Sequence, residues 1–586
     1  MPHQLDSPPI VTKPRDLTDW LLQPNLLVRL GILLIVALYA RTIAFDFVYD
    51  DYSIPVSPLL QSWHGVIDAF KMDVFGTAEA AGSAYYRPMS SALCVVIARL
   101  TSVTPGWFHL GAILIAITVF LLCYLCGRLL FDDDLLAALA ALLFALHPTK
   151  VETVAWIGSS TCDGQSAIYF FMVLLCYLYW WKTRKPTWVV LSAGFFAAAL
   201  FTKETMIVLP LLVAIHFWLL GPRAARLRTI AVLMVPYVVA DAFYAAVRHS
   251  VLRPLLKSSI AIQPIFTLVN VWSAPLALWW YIKRLLYPFG MSILYDSIVV
   301  QHPSFRNFGL PLLATLALVI ALAFAWHRTR SWLVPFLAAW LVLTLGPPLA
   351  LSPRVTIHDR YLQLAAYPFC ALLTYALLKL VRSNQRWRNP AFIAVLAIII
   401  FWGFGTWHES GYWRDSITLW KRAVQVAPHN INARVELARL YSEKELPEAI
   451  RVLDDGLRIV PDSPGLWRSR GLLLFNAGDF DNARASLFRA LDVSSRFAAD
   501  PQSEPVDVKF GRASSAFYLG EIDMLQGNPI NADRWLRIAI DIQPDDLDYQ
   551  RVMVANLRKQ GLNEQADQQQ KIVDELQRRL RPASKQ

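Results

Sequence analysis

The chain has 586 residues, 56% of them hydrophobic and only 17% charged. That balance excludes a set of soluble domains, because repeated apolar blocks of about 20 residues each suffice to cross a bilayer. The formal net charge of +11 does not call for a nucleic-acid partner: acids and bases balance from Gly411 onward, so the excess lies in short loops between apolar segments, where it sets topology.

In chain order, residues 1–25 carry prolines and the cations Lys13 and Arg15 ahead of the first apolar run. That run lacks a small-residue cleavage site, so it reads as an uncleaved signal-anchor behind a cytoplasmic segment. Long apolar segments follow at 26–44, 107–130, 135–151, 165–181, 187–202, 205–220, 229–247, 308–326, 331–350, 360–380 and 391–407. Two more, 88–104 and 265–288, are interrupted by Arg99 and by Lys283 and Arg284. If both lie in the interface, the basic clusters at 13–15, 182–185, 223–228, 328–330 and 379–388 all fall on the cytoplasmic side. The expectation is about eleven spans, with the amino terminus inside and the carboxyl terminus outside. The six cysteines lie almost entirely in apolar runs without metal-knuckle spacing, and read as small core residues.

This topology puts 45–106, 147–152, 202–204, 248–307 and 352–361 on the outer face. Charges at membrane depth are costly and mark functional sites by default, whereas a single cation at a helix end often only snorkels to water. Several collect here: Asp50 and Asp51 in "FDFVYDDYS", Arg87 in "YYRP", His147, Lys150 and Glu152 in "HPTKVE", Lys203 and Glu204 in "FTKE", and His358, Asp359 and Arg360 in "HDRY". Two adjacent aspartates cannot face the same way on a helix or a strand, so one can act while its neighbour orients backbone or binds a cation. A half-buried carboxylate at a water–membrane boundary is a suitable general base. Asp46, one turn earlier, reads as a solvated helix terminus. Glu204 and Asp359 adjoin cations, so those cations read equally as members of neutralising pairs. His147 and Glu152 lack a second His or Cys to complete a metal ligand set.

From Gly411 the pattern becomes polar and helical with an internal repeat. Ala438, Ala449 and Gly456 recur as Gly471, Ala483 and Ala490 and again as Gly520, Ala532 and Ala539, with Pro428, Pro461 and Pro544 closing units. Small residues and proline in this register are the signature of the tetratricopeptide repeat, a helix-turn-helix of about 34 residues. An insert is expected near 495–512, then a capping repeat to Leu580 and disordered final residues. Such arrays present a concave surface to peptides; the plainer reading is a structural cap.

Taken together, "FVYDDY", "YYRPMSSAL", "WFHLGAILI", "LLFALHPTKVETVAWI", "FTKETMIVLP" and the repeats resemble the transmembrane and tetratricopeptide-repeat O-mannosyltransferase family and its bacterial relatives, within the GT-C glycosyltransferases. The resemblance implies an all-α polytopic membrane domain of GT-C type (26–410) followed by an extracytoplasmic tetratricopeptide α-solenoid (411–586). It implies an inverting transferase that moves a sugar, mannose by family, from a polyprenyl-phosphate donor to a hydroxyl, a Ser or Thr of a protein bound by the repeats. Asp50 would be the base with Asp51 in support, and Arg87, Lys203 and Arg360 would meet the donor phosphate. The family admits a divalent cation on Asp50 and Asp51. Transfer to a lipid or glycan, or a non-catalytic scaffold, are the alternatives. One departure stands out: where bacterial members carry Arg and Asp two residues apart after "VAWI", this chain reads "GSSTCDGQS", with Ser160 and Cys162 there and Asp163 beyond. No Asn-x-Ser/Thr sequon occurs, which favours a bacterial inner membrane with periplasmic repeats over an ER membrane with luminal ones.

Overall fold

The computed structural model describes residues 22–73, 85–255, 267–351, 357–496 and 505–580. The expected cytoplasmic segment up to residue 21 and the final residues 581–586 lie outside them, as do parts of the first outer loop (74–84) and of the insert (497–504). All described regular structure is helical, in two compact units: residues 1–293 with 297–416, and residues 294–296 with 417–586.

Every one of the eleven apolar segments contains helix. Six described helices are long and apolar enough to cross a bilayer by themselves: Pro24–Ala44, Pro105–Phe131, Ile157–Thr183, Arg223–Leu252, Phe305–Thr329 and Gln385–Trp413. A seventh span forms if Asp134–Leu146 and Pro148–Ala155, bent by 62°, are joined. The other segments are shorter helices, such as Thr187–Thr202 and Glu204–Leu220. Helix Pro88–Leu100 has 13 residues and reaches about 20 Å at 1.5 Å per residue, too short for a hydrocarbon core of about 30 Å.

Helix Asp134–Leu146, "DLLAALAALLFAL", is the buried centre of the membrane unit, with every residue from Leu136 to Leu146 buried. A helix apolar on all sides must be covered on all sides, and its alanines let Pro105–Phe131, Pro24–Tyr39 and Ala366–Ser383 pack against it. Helix Phe305–Thr329 is the opposite case. Its Leu313, Val319, Ile320 and Phe324 are exposed, which water does not tolerate as a continuous face and lipid does.

The ends of the central helix define two layers. At its start, Asp133 caps the helix by accepting from the Leu136 amide, and takes a 2.6 Å contact from Arg382, while Asp134 binds Arg128 at 2.7 Å. At its end His147 precedes Pro148, and the ring of a proline drives the preceding residue out of helical backbone. His147 is accordingly extended at ψ 123°. The chain turns there into the layer that gathers the unusual charges.

In the second unit, helices pair as Ile431–Ser442 with Leu446–Ile459, Pro464–Asn476 with Phe480–Ser495, Val506–Leu525 with Pro529–Ile542, and Leu547–Lys559 with Asn563–Leu580. The repeated small residues do what their spacing predicts. A Cβ on Gly471 would lie 2.7 Å from Leu487 Cγ, and one on Gly520 would lie 3.0 Å from Leu536 Cγ. The two glycines thus make the same close approach in successive units. All six cysteines are free.

Candidate functional site

The segment leading to the acid pair is set by Tyr49, whose φ of 55° is sparsely populated for a bulky L residue. From that turn Asp50 emerges exposed and Asp51 goes inward, 1% exposed. The two neighbours therefore face different surroundings. Asp51 Oδ1 accepts from the Gly158 amide at 2.8 Å, which joins the first loop to the segment after "VAWI". Burial, only partly offset by the amides of Gly158, Val48 and Ile157, pushes the Asp51 carboxyl up to about 7. Asp50 is also raised, by desolvation, and the nearby Arg360 guanidinium pulls it back down.

The cations are held by acids that sequence adjacency did not indicate. Arg87 forks onto Glu204, Nε to Oε2 at 3.0 Å and Nη2 to Oε1 at 2.6 Å. Lys203 turns away from its neighbour Glu204 and pairs with Asp163. Arg360 donates to Glu152 twice, from Nη1 at 2.7 Å and from its backbone amide at 2.9 Å. Asp359 meets Arg284 of the amphipathic helix Leu268–Leu286 at 3.4 Å. His358 Nδ1 is 3.9 Å from Glu152, and burial together with Arg360 lowers its basicity.

Lys203 and Arg360 line one cavity with Asp163, Tyr361 and Gln363, whose remaining wall includes the apolar Met206, Val208, Pro348 and Leu364. The Tyr361 ring joins the two cations, its centroid 5.2 Å from Lys203 Nζ and 5.3 Å from Arg360 Cζ. Arg87 does not line this cavity.

His147 and Lys150 serve a different end. His147 Nδ1 accepts from the Thr149 hydroxyl at 2.9 Å, which leaves Nε2–H to donate to the Leu285 carbonyl at 3.1 Å. Lys150 Nζ donates to the Gln363 carbonyl at 2.5 Å and to its side-chain oxygen at 2.7 Å, over the Phe144 ring. Both are latches between elements, with their polar atoms engaged.

Two features escaped the sequence-based reading. Residues Ser160–Gly164 form a π-helical turn, one residue looser than α and frequent at functional sites. It is this turn that carries Asp163 to Lys203, with Ser159 Oγ donating to the other carboxylate oxygen at 3.2 Å. The second is Trp156. Its ring stacks on Trp413 with centroids 6.0 Å apart, meets Tyr49 edge-on at 5.4 Å, and lies 5.0 Å from the Arg360 guanidinium carbon. An aromatic with a donor N–H inside an apolar word was the available signal.

Among the described residues no group of three His, Cys, Asp or Glu side chains is placed to hold a metal ion. Asp51 Oδ1 is engaged by an amide and Asp50 is exposed.

Residues 437–508 match the tetratricopeptide repeat model. The chain is 23% identical over 499 residues to Protein O-mannosyl-transferase TMTC1 of Homo sapiens, covering 74% of this chain and 55% of that protein. It is 22% identical over 439 residues to Protein O-mannosyl-transferase F38B6.6 of Caenorhabditis elegans, covering 72% and 60%. A shorter stretch of 180 residues is 33% identical to Protein O-mannosyl-transferase tmtc2 of Xenopus laevis, covering 28% and 20%. The chain thus spans little more than half the length of the relatives it matches most fully. Among solved structures, an Archaeoglobus fulgidus oligosaccharyltransferase tethered to an acceptor peptide aligns with TM-score 0.43 and 13% identity over 74% of this chain and 58% of that one. The resemblance drawn from the motifs is borne out by the similarity to the O-mannosyl-transferases.

Proposed function

We propose that the chain is a membrane glycosyltransferase that moves a sugar from a polyprenyl-phosphate donor to the hydroxyl of a protein, with Asp50 as base. The acceptor oxygen gives its proton to Asp50 and attacks the anomeric carbon. The bond from that carbon to the phosphate oxygen breaks, the electron pair leaves with the polyprenyl phosphate, and the configuration inverts. Asp51, fixed on the Gly158 amide, holds the loop. Lys203 and Arg360 meet the charge that develops on the phosphate, and fixed cations in a site shielded from water stabilise such charge strongly. Arg87, oriented by Glu204, adds positive charge to the same layer.

The observation that carries this reading is the shared position of base and cations: Arg360 lines the cavity with Lys203 and is also close enough to Asp50 to lower its pKa. The apolar wall of Met206, Val208, Pro348 and Leu364 suits a polyprenyl chain. On this reading the repeats present the acceptor, the layer with Asp50 faces away from the cytoplasm, and mannose is the sugar that the relatives' names suggest. The test is transfer of radiolabelled mannose from decaprenyl-phosphate mannose to a Ser/Thr-rich peptide by the full chain in liposomes. Wild type is expected to transfer and Asp50→Asn to lose about 10²–10⁴-fold in rate; equal rates would sink the proposal.

A further inference from the structure

Among the buried polar side-chain atoms of the membrane unit without a partner in the described residues, two belong to the residues that flank Gly158, namely Trp156 and Asp51. Trp156 Nε1 and Asp51 Oδ2 make no hydrogen bond, although Trp156 is 6% and Asp51 1% exposed. A buried donor and a buried acceptor left open cost free energy on the order of 1–3 kcal/mol each, so a pair of them calls for an explanation. Between them lies Gly158. A Cβ placed on it would stand 3.1 Å from Trp156 Nε1 and 3.2 Å from Asp51 Oδ1, and Gly158 itself is only half-buried.

The donor here is fixed before any ligand arrives. Trp156 is held by Trp413 on its face, Tyr49 at its edge and Arg360 nearby, while Asp51 is held by the Gly158 amide. The missing side chain at 158 leaves room for one small group that accepts from an indole N–H and donates to a carboxylate. An alcohol hydroxyl does both; a phosphate, a ketone or an ammonium group does only one.

We propose that Trp156, Gly158 and Asp51 form a cradle for one hydroxyl of the transferred sugar, and so set which sugar is accepted. This rests on the glycosyltransferase reading and adds a residue, Trp156, that reads the donor. The hydroxyl accepts from Trp156 Nε1–H and donates to the Asp51 carboxylate. The sugar is favoured over the acceptor because Arg360, which lines the proposed phosphate cavity, also lies 5.0 Å from the Trp156 ring, so a group bound to the phosphate there is carried past the cradle. A site built to bond a hydroxyl rejects the analogue that lacks it, because its own buried groups are then left open.

The experiment measures binding of decaprenyl-phosphate mannose and its 2-, 3-, 4- and 6-deoxy analogues to the purified full chain in nanodiscs, for wild type, Trp156→Phe and Gly158→Ala. Wild type is expected to bind one of the four analogues about tenfold more weakly than the parent. Trp156→Phe, which keeps an aromatic ring for the stack and removes the N–H, is expected to lose about tenfold on the parent and to lose discrimination against that same analogue while ranking the other three as before. Gly158→Ala, which fills the cradle against Trp156 and Asp51, is expected to weaken the parent and to leave the singled-out analogue the least affected. A Trp156→Phe protein with the wild-type melting temperature and wild-type ratios for all four analogues overturns the cradle. So does a loss for Trp156→Phe that appears only in the KM of the acceptor peptide, measured in the liposome transfer assay, which would move the hydroxyl to the acceptor. Failure of wild type to bind the parent compound overturns the glycosyltransferase reading itself, an outcome distinct from the other two.

Discussion

Several ion pairs of the two units, made from the same kinds of residue, are built in opposite ways. In the repeat unit, Arg439 binds Glu436, Arg458 binds Asp455 and Arg537 binds Asp533, each one helical turn away and largely exposed. In the membrane unit the partners are far apart in sequence and sheltered: Arg87 with Glu204, Arg360 with Glu152, Lys203 with Asp163. Exposed pairs at helical spacing contribute little, because water screens them and the side chains must be ordered. A sheltered pair is different. Removing one partner strands the other charge out of water. Charge in the repeats therefore solubilises a scaffold whose stability comes from packed Leu and Ala, while charge in the membrane unit is placed where it has to be paired.

That contrast can be broken at several points. The largest effect on stability is expected from Glu152→Ala, which removes the carboxylate that Arg360 donates to twice and should cost about 3–5 kcal/mol, read as thermal unfolding in detergent. A smaller loss, about 1–3 kcal/mol by overpacking, is expected from Gly471→Val, whose side chain would meet Leu487; unfolding of the repeats followed by circular dichroism would show it. Next comes pH. Burial raises the Asp51 carboxyl from 3.8 to about 7, so the folded protein holds this proton more tightly than the unfolded chain does. The stability so gained is complete below about pH 4 and is lost as the pH rises through about 7. Wild-type melting temperature should fall over that window and the Asp51→Asn curve should be flatter; parallel curves would contradict the assignment. At the small end, Arg439→Ala is expected to leave the melting temperature of the repeats unchanged. A loss there as large as that of Glu152→Ala would erase the distinction between the units.

Much of this was legible before any coordinates. The small-residue register located the helix contacts of the repeats, and the topology read from charge expected a loop at 147–152, where the structure turns. Loop charges at membrane depth drew attention to the residues that the structure joins in ion pairs, since depth is written in the apolar pattern. Partnership is not. Lys203 and Glu204 are neighbours in sequence, yet the extended backbone at Lys203 sends them to different partners, and no periodicity encodes that. Asp163 reaches Lys203 through a π turn that adds one residue to a helix, a change hidden from any reading at 3.6 residues per turn. His147 and Lys150 looked like Glu152 in sequence, in the same word and at the same depth. What separates them is that the carbonyls of Leu285 and Gln363 satisfy the first two, whereas Glu152 holds a cation of the cavity.

The central claim is a division of labour within one layer: Asp50 handles the acceptor proton, and Lys203 and Arg360 hold the donor phosphate. It is tested most directly by measuring donor affinity and transfer rate together for Asp50→Asn and Lys203→Met, using decaprenyl-phosphate mannose and the full chain. The account predicts that Asp50→Asn binds the donor as wild type does yet fails to transfer, and that Lys203→Met loses donor affinity. If Asp50→Asn transfers normally, or if Lys203→Met binds the donor unchanged, the account is contradicted.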